Sequence, residues 1–415
     1  MGFVEPLPAV IASFCLLGAM LYKRVNLGIT LNATALCLAL LSIDWNEIPT
    51  VIFETTTDLL TISVVLATFG IMLLSQLYKE TGVINRLSES LSRIIKNSKV
   101  VLSVLPAVIG FLPVAGGALM SAPLVDSEAE KLKLNPEKKA YVNLWFRHTI
   151  FPVYPISQLL ITTAALTEIS IALIILRQIP VVIVMIIVGY FIGFWKVSNV
   201  KNEENSNAKS GVNSDLRDFF VAFSPILATI VVVIGLGLVG FSLFEQGFDV
   251  LIATLIGLIV LIAISRTSRE ILAKPLKSWG IYGVTFAAYG AFLLRNTMVA
   301  TGIADIFRTF VTNGSVDILL LLTVVPAILG FLTGSPLASV SISVPIIVGI
   351  LNNFSPETAA LIYMSAYLGY VIAPTHLCFT FTADYFKCPL GKVYKYVIPS
   401  FLATFTTALL IYFLI

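Results

Sequence analysis

The chain has 415 residues, of which 58% are hydrophobic and only 12% are charged, and its formal net charge is +3. A soluble protein of this length carries charge on roughly a quarter of its residues, so this chain cannot cover a water-facing surface. The composition excludes a soluble enzyme, a nucleic-acid-binding protein and a disordered scaffold. It predicts an all-α polytopic protein whose main partner is the lipid bilayer.

Ten apolar runs are long enough to cross the roughly 30 Å hydrocarbon core of a bilayer. They are residues 7–22, 25–43, 59–78, 141–167, 170–195, 219–240, 250–265, 280–299, 357–383 and 393–414. The first run follows Glu5 and precedes Lys23 and Arg24, whereas a secretory signal has its positive charge before the apolar core. We therefore expect a retained first helix whose N-terminus lies outside.

Two further apolar stretches, residues 99–112 and 316–332, end at a break rich in Pro and Gly and then resume as a second short run. The first of them, as a helix, rises only about 21 Å, which is too short to cross. We therefore predict two re-entrant helical hairpins, at residues 98–128 and 316–352, whose broken backbone is buried inside the protein. Two ordinary kinked spans are the alternative.

The positions of Lys and Arg favour the hairpins, because basic residues concentrate in cytoplasmic loops. With ten crossings and two hairpins, most of the 26 Lys and Arg residues fall on the cytoplasmic side, and only Arg308 falls outside. Arg147, Arg177 and Arg295 lie within apolar runs. The prediction is a multi-pass protein of the cell membrane with both termini outside.

Similar sequence recurs at a fixed offset of 220 residues. Residues 104–112 (VLPAVIGFL) match residues 324–332 (VVPAILGFL), with six of nine positions identical. The predicted topology gives the two copies opposite orientations. The chain therefore divides into a first repeat at 1–195, a cytoplasmic linker at 196–216 and a second, inverted repeat at 217–415.

Inverted repeats have a mechanical meaning. Two copies of opposite orientation can exchange conformations, which gives outward-open and inward-open states around a central site. This arrangement is typical of a secondary transporter, although some channels also carry inverted repeats, and a channel stays as an alternative. A nucleotide-driven pump is excluded, because the sequence has no GxxxxGK[ST] motif.

The predicted hairpin turns are candidate binding elements, because small residues let the backbone approach a ligand and the following helix starts favour anions. For the turns and the helices after them we predict substrate contacts at Gly116, Gly117, Ser121, Thr333, Gly334 and Ser335. Backbone carbonyls and hydroxyls there also offer oxygen ligands for sodium as a coupling ion, at Val114, Ala115, Thr333 and Ser339. Helix packing is the alternative role of each glycine.

The helices after the hairpins, residues 141–167 and 357–383, are each interrupted by proline, which breaks the hydrogen-bond ladder. His148 precedes the first interruption, and Thr375 and His376 follow the proline of the second. Freed backbone groups at membrane depth need buried partners or a cavity. We predict that these three residues bind the substrate, and a packing or hydrogen-bonding role is the alternative.

Charged residues inside the membrane are costly and usually functional. Arg147 and Arg295 lie within predicted spans, and no carboxylate lies deep in any span. Such cations need carbonyl partners or an anionic ligand, and we predict ligand contacts for Arg147, Arg295 and the neighbouring Asn296. Arg177 is expected to snorkel outward. A proton-coupled carrier would have to use His148 or the second histidine; sodium needs only oxygen ligands and is favoured.

Two inverted copies, each with a hairpin and a broken helix and preceded by amphipathic stretches at 82–97 and 302–313, resemble the ion transporter superfamily. That superfamily includes divalent-anion/sodium symporters, gluconate and citrate permeases, and arsenite carriers. More narrowly, the run GFLPVAGGALMSAPLV followed by NLWFRH is similar to an archaeal and bacterial membrane family within it that is known only as a domain of unknown function. The resemblance covers nearly the whole chain.

The resemblance implies a homodimer with a rigid scaffold and a mobile elevator domain that carries the hairpins and broken helices. In better-known relatives, Ser-Asn-Thr motifs at both hairpin tips bind carboxylate and sodium. This sequence has Val-Ala-Gly-Gly and Thr-Gly-Ser-Pro instead, so the resemblance does not imply a dicarboxylate substrate.

The favoured function is a secondary active transporter of a small organic anion, such as a carboxylate, coupled to sodium or protons by an elevator mechanism. Apart from sodium no cofactor is expected. A cation/proton antiporter of the same fold is the alternative, and it would be expected to carry a buried carboxylate. An intramembrane enzyme with Ser335 and His376 as nucleophile and base is disfavoured, because the other repeat has no matching serine and no third orienting group is apparent.

Overall fold

The computed structural model describes residues 4–95, 97–111, 117–198, 212–238, 248–303, 317–348 and 353–414, together with residues 306, 309, 313, 350 and 351. This part of the chain is helical and contains no strand. In chain order the helices are α1 (Pro6–Tyr22), α2 (Leu27–Ser42), α3 (Ile48–Thr57), α4 (Leu59–Glu80), α5 (Val83–Ile94), α6 (Ser98–Gly110), α7 (Ala118–Lys131), α8 (Pro136–His148), α9 (Gln158–Thr167), α10 (Ile171–Phe194), α11 (Val212–Leu238), α12 (Phe248–Ser265), α13 (Arg269–Ala273), α14 (Trp279–Ala300), α15 (Ile318–Thr333), α16 (Pro336–Val348), α17 (Pro356–Val371), α18 (Leu377–Tyr385) and α19 (Leu390–Leu414).

Length and apolar composition identify six candidate membrane spans within the described residues. They are Leu59–Glu80, Pro136–Thr167, Ile171–Phe194, Ser214–Leu236, Phe248–Ser265 and Leu390–Leu414. The helices α1, α2, α6, α15 and α16 are also apolar but shorter. The predicted all-α polytopic membrane fold is therefore confirmed, and the number of ten crossings stays a prediction.

Local sequence explains where several helices begin. The side chains of Asn26, Asp58, Asn135 and Ser355 each accept a hydrogen bond from a first-turn N–H group, of α2, α4, α8 and α17 respectively. Proline stands at the first residue of both α8 and α17, where its missing N–H costs nothing. The two interrupted helices therefore start with the same local design.

The helices pack as two sets. The core group consists of α6–α10 and α15–α19, in which α15 packs on α17, α6 packs on α8 and α10 packs on α19. The flanking group consists of α1–α5 and α11–α14, in which α2 packs on α14 and α11 packs on α12. The two groups meet where α14 contacts α16 and where α4 contacts α9.

Glycines allow α15 and α17 to cross closely. A Cβ atom on Gly330 would lie 2.2 Å from Ala366 O, and one on Gly369 would lie 2.1 Å from Ala327 O. On α6, a Cβ on Gly110 would lie 2.4 Å from Arg147 O, the backbone oxygen of a residue near the end of α8. Small residues at helix crossings are typical of membrane bundles, where close backbone packing replaces the hydrophobic driving force.

The substitution Gly369→Ala is expected to destabilise the protein, although alanine is the better helix former. The added methyl group forces α15 and α17 apart, at a cost of about 1–3 kcal/mol for overpacking. Gly18→Ala is the matched control, because a Cβ there meets nothing within 4 Å, and it should leave the unfolding midpoint unchanged or raise it slightly. Equal midpoints for the two variants in detergent would contradict the close crossing.

Candidate functional site

A cavity of about 360 Å³ lies between the core group and the flanking group. The core group contributes both helix interruptions, between α8 and α9 and between α17 and α18, and the turn between α15 and α16. The flanking group contributes the start of α2 and part of α14. The volume suits a small molecule.

Four helices begin at this cavity. Their first residues, which all line it, are Leu27 of α2, Gln158 of α9, Pro336 of α16 and Leu377 of α18. A helix N-terminus presents N–H groups and the positive end of the helix dipole. The N-cap residues of α9 and α18 make no side-chain cap hydrogen bond. The positive ends of four helix dipoles therefore lie at the cavity, where α8 and α15 also end.

Arg147 adds a full positive charge. It lies in the last turn of α8, lines the cavity and is only 1% exposed. The described lining residues include no Asp or Glu. A buried guanidinium group together with converging helix N-termini favours an anionic ligand with two acceptor oxygens, which the planar guanidinium fork can bind in parallel.

The two histidines of the chain meet in the same cavity. The rings of His148 and His376 are edge to face, with centroids 4.8 Å apart. Their Nδ1 atoms lie 2.7 Å from Leu144 O and 3.4 Å from Val371 O, respectively. Because a carbonyl oxygen only accepts, each Nδ1 carries the hydrogen, and the Nε2 lone pair of each neutral ring is directed elsewhere.

Three tyrosines of α17 contact the two interruptions. Tyr367 Oη donates to His148 O at 2.5 Å, and Tyr363 Oη donates to Phe151 O at 3.0 Å. Tyr370 packs on His376 with ring centroids 3.9 Å apart. The hydroxyls thus satisfy carbonyls that the interruption frees, as buried irregular backbone requires. Sequence analysis missed these residues, although their spacing of four and three places them on one helix face.

Five of the predicted site residues line the cavity, namely Arg147, His148, Gly334, Ser335 and His376. Ser335 Oγ accepts a hydrogen bond from Ala338 N at 3.2 Å and thereby caps the first turn of α16. Helix capping therefore gives the Ser335 hydroxyl a structural role that needs no catalytic partner.

Two further predicted residues flank the turn between α15 and α16. Thr333 Oγ1 donates to Leu329 O at 2.6 Å, and Thr375 Oγ1 donates to Phe331 O at 3.2 Å. A Cβ on Gly334 would lie 2.7 Å from Thr375 Oγ1. The turn and the second interruption are therefore in direct contact.

Other predicted residues lie away from the cavity. Ser121 Oγ donates to Asn143 Oδ1 at 2.6 Å, within a buried polar cluster that includes Thr382. Ser339 Oγ donates to Pro326 O at 2.6 Å, between α15 and α16. Gly117 is buried immediately before α7. The predicted contacts at Val114, Ala115 and Gly116 lie outside the described residues.

Arg295 and Asn296 line a second, larger cavity of about 930 Å³ together with Glu54, Asp58 and Glu168. Arg295 Nη2 pairs with Glu168 Oε1 at 2.6 Å, and Asn296 Nδ2 donates to Thr55 Oγ1 at 2.9 Å. Arg295 thus has a protein carboxylate as partner.

Arg177 is likewise paired with a carboxylate. Its Nη2 lies 2.5 Å from Glu357 Oε1, and its side chain is 24% exposed. Glu357 stands in the first turn of α17. Of the three intramembrane arginines that the sequence singled out, Arg147 is therefore the one in the cavity where the interruptions meet.

Comparison with known proteins gives one family. The sequence model of that family matches residues 9–415, and its description is "Protein of unknown function (DUF401)". The match covers nearly the whole chain, including both interruptions and the cavity. A search of curated proteins found no match.

Proposed function

The chain belongs to the DUF401 family, and we propose that it is a secondary active transporter of a small organic anion such as a carboxylate. The observation that carries the proposal is the cavity that joins Arg147 with four helix N-termini and has no Asp or Glu among its described lining residues. The site is cationic, small and formed at helix interruptions, as transporter binding sites are.

The helix bounds support an inverted repeat at an offset of 220 residues. Helix α4 spans 59–80 and α14 spans 279–300; α6 begins at 98 and α15 at 318; α8 begins at 136 and α17 at 356. In the proposal, α6–α7 and α15–α16 are the re-entrant hairpins of the two repeats.

The packing of the helices supports the same symmetry. The contacts α6–α8, α7–α18, α1–α2 and α4–α12 are matched by α15–α17, α16–α9, α11–α12 and α14–α2. Each contact thus has a counterpart when every helix is exchanged for its partner in the other repeat. Two such copies in opposite orientations can exchange conformations, which is the basis of alternating access.

An elevator movement assigns different roles to the two groups of helices. In the proposal the flanking group is the scaffold, where Asn32 Nδ2 donates to Gly28 O and Phe286 O and joins α2 to α14. The core group carries Arg147 and both interruptions past this scaffold. A homodimer in the cell membrane, with both termini outside, completes the proposal.

The coupling ion is sodium or a proton. The hydroxyls of Thr333 and Ser339 donate to carbonyls of α15. The Ser339 hydroxyl keeps lone pairs for a sodium ion, and the Thr333 hydroxyl, which also accepts from Ser335 N, keeps one. The titratable cavity residues His148 and His376 are the groups that a proton would use.

The test is the thermal unfolding of purified protein with a panel of small carboxylates and oxyanions, each in sodium and in choline buffer at two pH values. A ligand that binds the folded state raises the unfolding midpoint. At a ligand concentration a hundred times Kd, the gain in stability is about 2.7 kcal/mol. A shift from one anion only in sodium supports sodium symport, and a shift in choline that depends on pH supports proton coupling. Shifts from sodium or pH without any anion effect would instead indicate a cation/proton antiporter.

A further inference from the structure

The geometry points to a binding site for a soft monovalent metal ion, Cu⁺ or Ag⁺, formed by His148, His376 and Cys378. One ring nitrogen of each histidine and Cys378 Sγ lie within 4.8 Å of one another, and all three residues are buried. The site shares the cavity described above, but it does not rest on the proposed transport, because it needs only these three side chains.

The backbone holds both histidines as it holds metal ligands in other proteins. A metal-bound imidazole almost always donates its other ring N–H to a carbonyl, a carboxylate or water, which fixes the ring and its tautomer. Here Leu144 O and Val371 O lie close to Nδ1 of His148 and His376, respectively. The Nε2 atoms are thereby left as electron-pair donors, and that of His148 accepts only a long hydrogen bond from Tyr370 Oη, 3.5 Å away, which a bound metal ion would replace.

A second observation points to a ligand at this cluster. His376 is 1% exposed and lines the cavity, yet its Nε2 has no hydrogen-bond partner within the described part of the chain. A buried acceptor without a partner is costly, because its lost hydration is not replaced. A metal ion at Nε2 removes this cost.

The third ligand is the Cys378 thiol. Cys378 is the second residue of α18 and, like Arg147, lines the cavity. When the metal ion binds, the S–H bond breaks, the sulfur–metal bond forms and the proton leaves to solvent.

Charge and ligand type select the ion. Two imidazoles and a thiolate are soft ligands, and a trigonal His₂Cys set is typical of copper. A monovalent ion with one thiolate forms a neutral centre, whereas a divalent ion leaves a net positive charge beside Arg147 in a poorly solvated cavity, which is costly. With metal–nitrogen and metal–sulfur bonds of about 2.0–2.3 Å, the ligand atoms of a trigonal site lie about 3.7 Å apart. Side-chain movements of about 1 Å therefore bring the three ligand atoms to this separation.

The experiment compares two variants that each keep one cysteine. C15S/C37S/C388S keeps Cys378, and C15S/C37S/C378S keeps Cys388 as a lone buried thiol. Burial raises the pKa of the Cys388 thiol to about 11, so it competes poorly for metal. Ag⁺, the redox-inert probe, is titrated in chloride-free buffer without carboxylates, and bound silver is counted by mass spectrometry. We expect one Ag⁺ per chain with Cys378, and at least tenfold weaker binding with Cys388.

The histidines are tested in the background that keeps Cys378. His376→Gln and His148→Gln should each weaken Ag⁺ binding at least tenfold, and folding of each variant is checked by size-exclusion chromatography. Equal affinity of the two single-cysteine variants, no loss in a folded histidine variant, or tighter binding of Zn²⁺ than of Ag⁺ would each overturn the inference. Because the silver titration contains no organic anion, its failure would contradict the metal site without contradicting the proposed anion transport, which the anion panel tests.

Discussion

Replacing Arg147 by glutamine is expected to abolish the stabilisation of this protein by the proposed anionic substrate. The guanidinium is 1% exposed in a cavity without described carboxylates, so its charge is poorly screened by solvent. Removing one partner of a buried, hydrogen-bonded charge pair costs 2–5 kcal/mol, which raises Kd by about 30-fold or more. The measurement is the anion-dependent shift of the unfolding midpoint, followed by uptake into proteoliposomes.

Arg177→Gln is the matched control for this prediction. Arg177 is also an arginine within an apolar helix, but it pairs with Glu357 at the start of α17. Its loss is expected to lower the unfolding midpoint and leave anion affinity unchanged. If Arg177→Gln weakens anion binding as much as Arg147→Gln does, the effect comes from the stability of the helix bundle, and the cavity is not the anion-binding site.

Arg147→Lys separates charge from shape. Lysine keeps the positive charge and loses the planar fork that binds two oxygens in parallel. We expect an affinity between those of the parent protein and Arg147→Gln for a carboxylate or another oxyanion. If Arg147→Lys binds the anion as tightly as the parent protein does, the ligand is held by charge alone, as a halide would be.

Part of this site could be predicted because its signals are local in sequence. Proline disfavours a continuous helix, although α10 and α19 continue through Pro180 and Pro399, and a charged residue in an apolar run is visible without any structure. His148, His376 and Arg147 were identified in this way, and all three line the cavity. The helical membrane fold followed from composition for the same reason.

The rest of the site depends on contacts between distant segments. Glu168 follows α9 with a φ of +61° and pairs with Arg295, 127 residues later in the chain. Ser121, a predicted substrate contact, donates a hydrogen bond to Asn143, which lies on a different helix. The carbonyl of His148 takes its hydrogen bond from Tyr367, more than 200 residues later in the chain. Spacing within one helix cannot specify such partners.

Gly334→Ala is expected to have the second large effect, because this glycine has a left-handed backbone conformation and is tightly enclosed. Its φ is +61°, and a Cβ would lie 2.7 Å from Thr375 Oγ1 and 2.8 Å from Thr375 O. The left-handed conformation alone costs alanine about 1–2 kcal/mol, and overpacking adds about 1–3 kcal/mol. The methyl group pushes the α15–α16 turn away from the second interruption, so anion binding should weaken at least tenfold.

Gly82→Ala is the matched control, because it separates the effect of backbone strain from the effect of the contact at the cavity. Gly82 has a φ of +70°, nearly the same as Gly334, but a Cβ there meets nothing within 4 Å. Both variants therefore carry similar backbone strain, and only Gly334→Ala disturbs the contact with Thr375. Unfolding midpoints and anion affinities of the two proteins are compared directly. If both variants lose the same stability and both keep their affinity for the anion, the contact between the turn and the second interruption does not shape the site. If only Gly334→Ala loses affinity for the anion, this contact positions the N-terminus of α16 for binding.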